Sequence, residues 1–132
     1  MRAIALALSL IFFTSLFGGC SKDVSSIPDG TYKGTFTVNY GVYTRTGETT
    51  LELKNGRFSC YGNSSRVPAG GSGKYTSDDF KVTFFDDNFW PADFDWNLLL
   101  NGRYNYTFDG LKLTIFSNKN GVGLYQYELE KQ

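Results

Sequence analysis

An alternation of apolar and polar residues runs through the chain from residue 29 onward and restricts it to a β fold. In the first run, Tyr32, Phe36 and Val38 alternate with threonine, lysine and asparagine, so one face of an extended segment is apolar. A period of two is typical of a half-buried strand, and no long segment shows the spacing of an amphipathic helix. We therefore predict an all-β domain.

Turn signals between the runs set their pairing. Asn55-Gly56 follows the run Thr44–Lys54 and is typical of a two-residue type I′ hairpin turn. Such a turn pairs Leu53 with Phe58 and Leu51 with Cys60, which places four apolar side chains on one face. Cys60 is accordingly interpreted as a small core residue.

Two further aspartate-led pairs, Asp78-Asp79 and Asp109-Gly110, are also interpreted as two-residue turns. The resulting pairs are Tyr75 with Val82, Ser77 with Phe80, Phe108 with Leu111, and Tyr106 with Leu113.

Residues 96–108 alternate at their even positions, from Trp96 to Phe108. We interpret them as one long strand bent at Gly102, because the alternative, a turn at Asn101-Gly102, would break the apolar stripe. The last strand is predicted over residues 122–130.

The count is eight consecutive strands, each with one apolar face. Closing the sheet removes both edges and encloses the stripe, so we predict a single antiparallel eight-stranded up-and-down barrel, with a two-sheet sandwich as the alternative. Alternate connections of a meander lie at one end. The tight turns therefore share the end where the chain enters, and the longer loops, residues 41–43, 63–72, 86–95 and 117–121, share the other end, which we call the rim.

The first 20 residues form a different kind of segment. Arg2 precedes an apolar run over residues 3–17 that is shorter than the roughly 20 residues of a membrane-spanning helix, and this pattern indicates a signal peptide. The run ends in Leu16-Phe17-Gly18-Gly19-Cys20, which resembles the lipobox of bacterial lipoproteins. An ordinary cleaved signal with Cys20 left free is the alternative.

The lipobox resemblance implies how the chain is divided and where in the cell the protein is located. Residues 1–19 would be the signal peptide, residues 20–28 the lipidated Cys20 and a polar tether, and residues 29–132 the barrel. The lipid on Cys20 would bind the membrane. Ser21, following the cysteine, implies an outer-membrane lipoprotein, on the periplasmic side or at the cell surface.

Composition excludes several functions. The chain has no histidine, so Ser-His-Asp and Cys-His catalysis and histidine-containing zinc sites are excluded. Its 13 basic and 13 acidic residues form no basic cluster, which argues against a nucleic-acid partner. Asp86-Asp87 and Asp93 with Asp95 share a loop, but aspartate in loops usually serves turns and solvation. We expect no catalytic residue, no metal site, no cofactor, and a monomer.

The predicted barrel resembles the lipocalin-like group of small meander barrels, in which a Gly-x-aromatic step opens the first strand, as Gly30-Thr31-Tyr32 does here. This resemblance implies a small apolar or amphipathic ligand inside the barrel. Inward side chains more often fill an eight-stranded barrel than line a cavity. We nevertheless favour an interior site slightly, because Gly34, Gly62 and Gly102 on the inward stripe leave space or bend strands where bulkier residues would fill the barrel. The candidate interior residues are Tyr32, Phe36, Tyr40, Leu53, Phe58, Tyr75, Phe84, Leu98, Tyr104, Tyr106 and Tyr127.

The rim supplies a second hypothesis. Aromatic residues crowd the loop at residues 86–95, where they either plug the barrel mouth or present an apolar patch. Gly71-Ser72-Gly73-Lys74-Tyr75 resembles a stretch of the lipoprotein inhibitors of C-type lysozyme, which implies inhibition of a lysozyme or another envelope enzyme. The candidate rim residues are Ser72, Lys74, Phe89, Trp90, Phe94 and Trp96. The predicted function is thus a non-catalytic binding module.

Overall fold

The structure is a computed structural model, and it describes residues 27–119 and 121–132. The predicted signal peptide, Cys20 and residues 21–26 of the predicted tether lie outside the described residues. The eight strands are β1 (Gly30–Asn39), β2 (Thr44–Lys54), β3 (Arg57–Tyr61), β4 (Gly71–Ser77), β5 (Lys81–Asp86), β6 (Gly102–Phe108), β7 (Lys112–Lys119) and β8 (Gly123–Lys131).

The strands form a closed antiparallel up-and-down barrel in sequence order, as predicted. Closure comes from β1, which pairs with β2 on one side and with β8 on the other; Phe36, for example, lies opposite both Gly47 and Tyr127. Within residues 27–119 and 121–132 no helix is long and apolar enough to cross a membrane.

The β2–β3 hairpin has the predicted register. Leu53 lies opposite Phe58 and Leu51 opposite Cys60, and all four side chains are buried. Asn55 and Gly56 both have positive φ, 51° and 74°, which is the backbone of a type I′ turn.

The two aspartate-led hairpins have a different register from the predicted one. Ser77 lies opposite Val82 and Tyr75 opposite Phe84, so Phe80 is not paired with Ser77 and is 73% exposed. The carboxylate of Asp78 accepts the backbone N–H groups of Phe80 and Lys81, which enlarges the turn by two residues.

The β6–β7 hairpin repeats this construction. Phe108 lies opposite Leu113 and Tyr106 opposite Ile115, and Leu111 is exposed in the turn. A shift of two residues keeps the side chains on their predicted faces, because side chains in a strand alternate with a period of two.

The predicted long strand over residues 96–108 is wrong in its first half. Trp96–Leu98 is a short 3-10 helix, and β6 begins only at Gly102, whose φ is 97°. Leu98, Leu99 and Leu100 are all buried, which a strand with alternating faces does not allow. These residues instead cross the barrel mouth.

Side chains fill the barrel interior. The rings of Phe36 and Tyr127 lie 4.6 Å apart, those of Phe58 and Phe84 4.9 Å apart, and Tyr104 contacts both groups edge-on, with ring centroids 5.9 Å from Phe84 and 6.4 Å from Tyr127. Aromatic pairs at these distances pack like a protein core.

Gly34 and Gly62 do not leave interior space, contrary to the sequence interpretation, whereas Gly102 has a positive φ of 97° and, among the described residues beyond its chain neighbours, only the Lys119 ammonium 3.4 Å from where its Cβ atom would lie. A Cβ atom on Gly34 would lie 2.0 Å from the carbonyl oxygen of Glu128, and one on Gly62 would lie 2.3 Å from the carbonyl oxygen of Ala69. Both positions are glycine because another backbone passes too close for any side chain.

The end opposite the rim, where the described chain begins, is closed as well; we call it the tether end. Ile27 is 2% exposed, so the buried core begins two residues before the predicted start of the domain. The hydroxyl of Tyr32 donates to the carbonyl of Pro28 at 2.5 Å, and that of Tyr106 donates to the carbonyl of Asp78.

Replacing Gly56 by valine should lower the free energy of unfolding by about 1–2 kcal/mol, the usual cost of forcing a side chain into positive φ. Apart from its two chain neighbours, no described residue has an atom within 4 Å of the position that a Cβ atom would occupy there, so the loss reports the backbone alone. Chemical denaturation measures it. Gly56→Asn, which tolerates this conformation, and Lys54→Val, on an exposed strand position, are the controls; equal stability of Gly56→Val and Lys54→Val would contradict the turn.

Candidate functional site

Two long segments of the rim, residues 62–70 and 87–101, lie across the barrel mouth and are bonded to each other. The N–H of Ala69 donates to the carbonyl of Leu98, and the N–H of Leu100 donates to the carbonyl of Gly70, both at 2.9 Å. Val67 of the first segment is 2% exposed and belongs to the core cluster together with Leu98. The mouth is therefore plugged by backbone-paired loops and their apolar side chains.

Asn63 organises the first of these segments. Its side-chain amide donates to the carbonyls of Val67 and Glu48, and its side-chain oxygen accepts the N–H groups of Ser65 and Val67. One side chain thus pairs both the N–H and the carbonyl of the buried Val67. The turn packs directly against Gly47 of β2. A Cβ atom at that position would lie 1.7 Å from the carbonyl oxygen of Val67.

Asp95 fastens the second segment to the strands on the other side of the mouth. One carboxylate oxygen accepts the hydroxyls of Tyr40 and Tyr125 at 2.9 and 2.8 Å, and the other accepts the N–H of Asn97 at 2.9 Å. Tyr40 follows β1 and Tyr125 lies in β8, so this cluster, the Asp95 latch, joins the plug to the closure of the barrel.

The titration of the Asp95 latch follows from this geometry. Partial burial opposes ionisation of Asp95, but the hydrogen bonds from Tyr125, Asn97 and Tyr40 outweigh it and lower the pKa of the carboxyl. Burial, followed by the bond to Asp95, raises the pKa of Tyr40 to about 12, and the same two causes raise the pKa of Tyr125. The stable form at neutral pH is an aspartate that accepts from two neutral tyrosines.

The loop at residues 87–95 is held in one shape. The indole N–H of Trp90 donates to Asp86 at 2.5 Å, and the other oxygen of Asp86 accepts the N–H of Ser72 at 2.9 Å. The Trp90 ring packs on that of Phe94, and the guanidinium of Arg66 lies 5.0 Å from the centre of the Phe94 ring. Trp90 and Phe94 are half-buried, so they stabilise the loop rather than standing free of it.

Other apolar side chains at the rim are exposed. Phe89 is fully exposed, and Trp96 is 55% exposed while its indole N–H donates to the carbonyl of Pro91. Across the Asp95 latch, the loop after β1 adds Val42 and Tyr43, which are 89% and 57% exposed. We call Val42, Tyr43, Phe89 and Trp96 the rim patch.

Only half of the rim patch was predicted. The aromatic residues of the loop at residues 86–95 and its exit indicate Phe89 and Trp96, whereas no sequence pattern indicates Val42 and Tyr43. Their signal in the sequence is weak, because an apolar pair in a short loop looks the same whether it folds inward or stays exposed.

The predicted interior residues all belong to the inner face or the plug. Nine are buried and two, Tyr40 near the rim and Tyr75 on β4, are half-buried against the core. Cys60 is a buried free thiol whose pKa burial raises to about 12, which confirms its place in the core. The hydroxyl of Tyr127 is buried and has no hydrogen-bond partner among the described residues.

Ser72 and Lys74 both lie in β4 and not in a loop. Lys74 is exposed on the outer wall, opposite Arg57 of β3 and Phe85 of β5. Ser72 is bonded to the rim loop, since its hydroxyl accepts the side-chain amide of Asn88. The two residues are therefore separated: Ser72 supports the rim, and Lys74 stands on the barrel wall.

The acidic residues of the rim have structural partners. Asp87 forms an ion pair with Arg57 at 3.1 Å, and Asp93 forms one with Arg66 at 3.3 Å. In residues 27–119 and 121–132 no group of three or more acidic or sulfur ligands is placed to hold a metal ion.

Comparisons with protein families, with curated proteins and with solved structures find no match to this chain.

Asp95→Asn should destabilise the protein by about 1–3 kcal/mol, because a single amide oxygen cannot replace two carboxylate oxygens that accept three hydrogen bonds. The folded pKa of Asp95 is below its ordinary value, so its contribution is present above about pH 4 and is lost as the pH falls through the folded pKa. Denaturation at several pH values measures the difference from wild type, which should shrink at acidic pH. Asp93→Asn, which breaks only an exposed ion pair, is the control and should cost about 0.5 kcal/mol or less; an equal loss in both variants would contradict the latch.

Proposed function

We propose that this chain is a lipid-anchored protein of the bacterial envelope, attached through Cys20, and that its barrel is a non-catalytic binding module that contacts a protein partner through the rim patch. The anchor is supported by the lipobox-like segment at residues 16–20, which precedes the described residues in the sequence. The observation that carries the binding proposal is the rim patch itself: exposed apolar side chains on loops that hydrogen bonds hold in one shape.

Two properties of the rim patch, its aromatic composition and its ordered loops, are typical of a protein-binding surface. Aromatic side chains are enriched among the residues that dominate binding energy, and Tyr43, Phe89 and Trp96 supply three of them. A loop that is already ordered loses little conformational entropy on binding. The Asp95 latch and the Asp86–Trp90 bond order the loop before any partner arrives.

The same geometry gives less support to the interior ligand that the lipocalin-like resemblance implies. The inner side chains contact one another, both ends are closed, and Gly34 and Gly62 accommodate neighbouring backbone rather than a ligand. The hollows on the surface include one on the outer wall between β1 and β2, beside Lys33 and Glu48, and one at the rim beside Ala69, Asn88 and Trp90.

Inhibition of a lysozyme is one specific form of the proposed function, and it needs a different contact from the one that the sequence resemblance implies. Lys74 lies within a strand that is paired on both sides, so the stretch around it cannot enter an enzyme cleft. The loop at residues 87–95, with Phe89 at full exposure, is the segment of the rim that could.

Phe89→Ala and Trp96→Ala should each weaken partner binding by about 1–3 kcal/mol, the range for an aromatic residue at the centre of an interface. Because both side chains are largely exposed, stability should change by no more than about 0.5 kcal/mol. The measurement is site-specific photo-crosslinking in intact envelopes from position 89, followed by affinity measurement on the captured partner; C-type lysozyme is a defined candidate for the same assay.

The matched control is Phe80→Ala, which removes an aromatic residue that is 73% exposed at the opposite end of the barrel. A discrete crosslinked protein from position 89 and none from position 80 supports the rim patch. Equal losses of affinity for Phe80→Ala and Phe89→Ala, or crosslinking from position 80 alone, would place the partner elsewhere.

A further inference from the structure

The tether end of the barrel also exposes apolar side chains, and they occur in two turns of the same construction. In each turn an aspartate carboxylate accepts the N–H groups of the second and third residues after it: Asp78 accepts those of Phe80 and Lys81, and Asp109 those of Leu111 and Lys112. The apolar residue is held outward and a lysine follows it. We call Phe80 and Leu111 the tether-end tips.

From these tips we propose that the tether end docks on the lipid bilayer, with Phe80 and Leu111 inserted at the interface between headgroups and acyl chains. The inference rests on the proposed lipid anchor at Cys20 and adds to it a direct contact between the folded domain and the membrane.

Exposure at the tips serves no packing purpose within the barrel. Phe80 is 73% exposed and Leu111 48% exposed, while the side chains on either side of them in the hairpins, such as Val82 and Leu113, are fully buried. Two rigid turns that each present an apolar tip suit a bilayer interface, where the tip enters between the headgroups. The exposed Lys112 keeps its ammonium among the headgroups, whereas the Lys81 ammonium donates to the side chain of Asn105 on the barrel wall.

The reach of the chain favours the bilayer over other occupants. Only seven peptide units separate Cys20 from Ile27, which is buried at the tether end, and seven residues span at most about 25 Å when fully extended. A lipid on Cys20 therefore keeps the tips within a short distance of the membrane surface at all times. Contacts that would be too weak alone become effective when the surface is this close.

Charge at the tips favours insertion rather than attraction to anionic lipids. One turn holds Lys81 with Asp78 and Asp79, and the other holds Lys112 with Asp109. Hydrogen bonds from the backbone N–H groups of Phe80 and Lys81 lower the pKa of Asp78, as those of Lys112 and Leu111 lower the pKa of Asp109. Both aspartates are ionised at neutral pH, so the two turns carry no excess of positive charge. Docking should therefore occur on zwitterionic lipids and change little with salt.

Docking at the tether end also sets the orientation of the rim patch. The turns of the tether end and the loops of the rim are at opposite ends of the strands. A barrel seated on Phe80 and Leu111 holds Phe89 and Trp96 away from the membrane, where a partner can reach them.

The native tryptophans make this testable, because both lie at the rim and β5 alone, six residues long, places the tips about 20 Å from them. The full chain is expressed with its own leader, purified in processed form and reconstituted in vesicles of phosphatidylcholine that carries bromine on the upper acyl chain, which quenches tryptophan only on contact. The variants are Phe80→Trp and Leu111→Trp. Phe85→Trp is the matched control, since Phe85 is 53% exposed on the outer wall.

The expected result is a fall of about twofold or more in the emission added by Phe80→Trp and by Leu111→Trp, as for side chains at the acyl boundary. Wild type and Phe85→Trp should show almost no quenching. Quenching of Phe80→Trp that is no greater than that of Phe85→Trp, in a protein whose mass includes the lipid and which floats with the vesicles, would overturn docking and leave the anchor standing.

Two other outcomes are distinct. A processed protein without added lipid that does not float, and that behaves as Cys20→Ala does, would overturn the anchor and docking together. A blue shift of the emission added by Phe80→Trp in the lipid-free Cys20→Ala chain that increases with protein concentration would show that a second copy of the chain covers the tips, and would overturn the bilayer as their occupant.

Discussion

Pairing of β1 with β8 is the interaction on which the rest of this structure depends. It joins the first strand to the last and turns a meander with two open edges into a barrel with none. Gly34 makes it possible, because the Glu128 carbonyl lies where a side chain at that position would begin. Once the sheet is closed, the inward stripe has a fixed volume to fill, and the aromatic side chains of this chain fill it.

Because the barrel interior is filled, we place the proposed binding function on the surface. The two ends are closed in different ways: Ile27 and the hydroxyls of Tyr32 and Tyr106 close one, and two hydrogen-bonded loops close the other. The hydrogen bonds that close the rim also hold its loops rigid. Phe89 and Trp96 are therefore presented in defined positions. The Asp95 latch, which holds the rim plug against β8, thus links stability of the barrel to the shape of the rim patch.

Much of the fold follows from local rules, and its departures from them have identifiable causes. The alternation in β1 and β2 predicted both strands, and the Asn55-Gly56 turn predicted the register of β2 with β3, because each signal involves neighbouring residues. Asp78 and Asp109 shifted their hairpins by two residues, since a carboxylate that captures two N–H groups makes a larger turn than the dipeptide alone indicates.

At the candidate site, the structure differs from the sequence prediction where residues that are distant in sequence contact one another. Leu98 and Leu100 have the spacing of inward residues in an alternating strand. Leu99 between them is also buried, because all three residues lie in the segment that crosses the barrel mouth. The role of Asp95 depends on Tyr40 and Tyr125, 55 and 30 residues away. Likewise, whether Gly34 leaves space or receives backbone is decided by Glu128, at the far end of the chain.

The central claim, that the interior is filled and binding takes place outside it, is tested most directly by titrating the native protein with an apolar fluorescent probe or a fatty acid and repeating the titration with Leu53→Trp, which enlarges a buried inner side chain. Because the interior is filled, the native protein should show no saturable one-to-one binding. Saturable binding at one site that Leu53→Trp abolishes while the fold remains intact would contradict it, and would show that the barrel opens to hold a ligand.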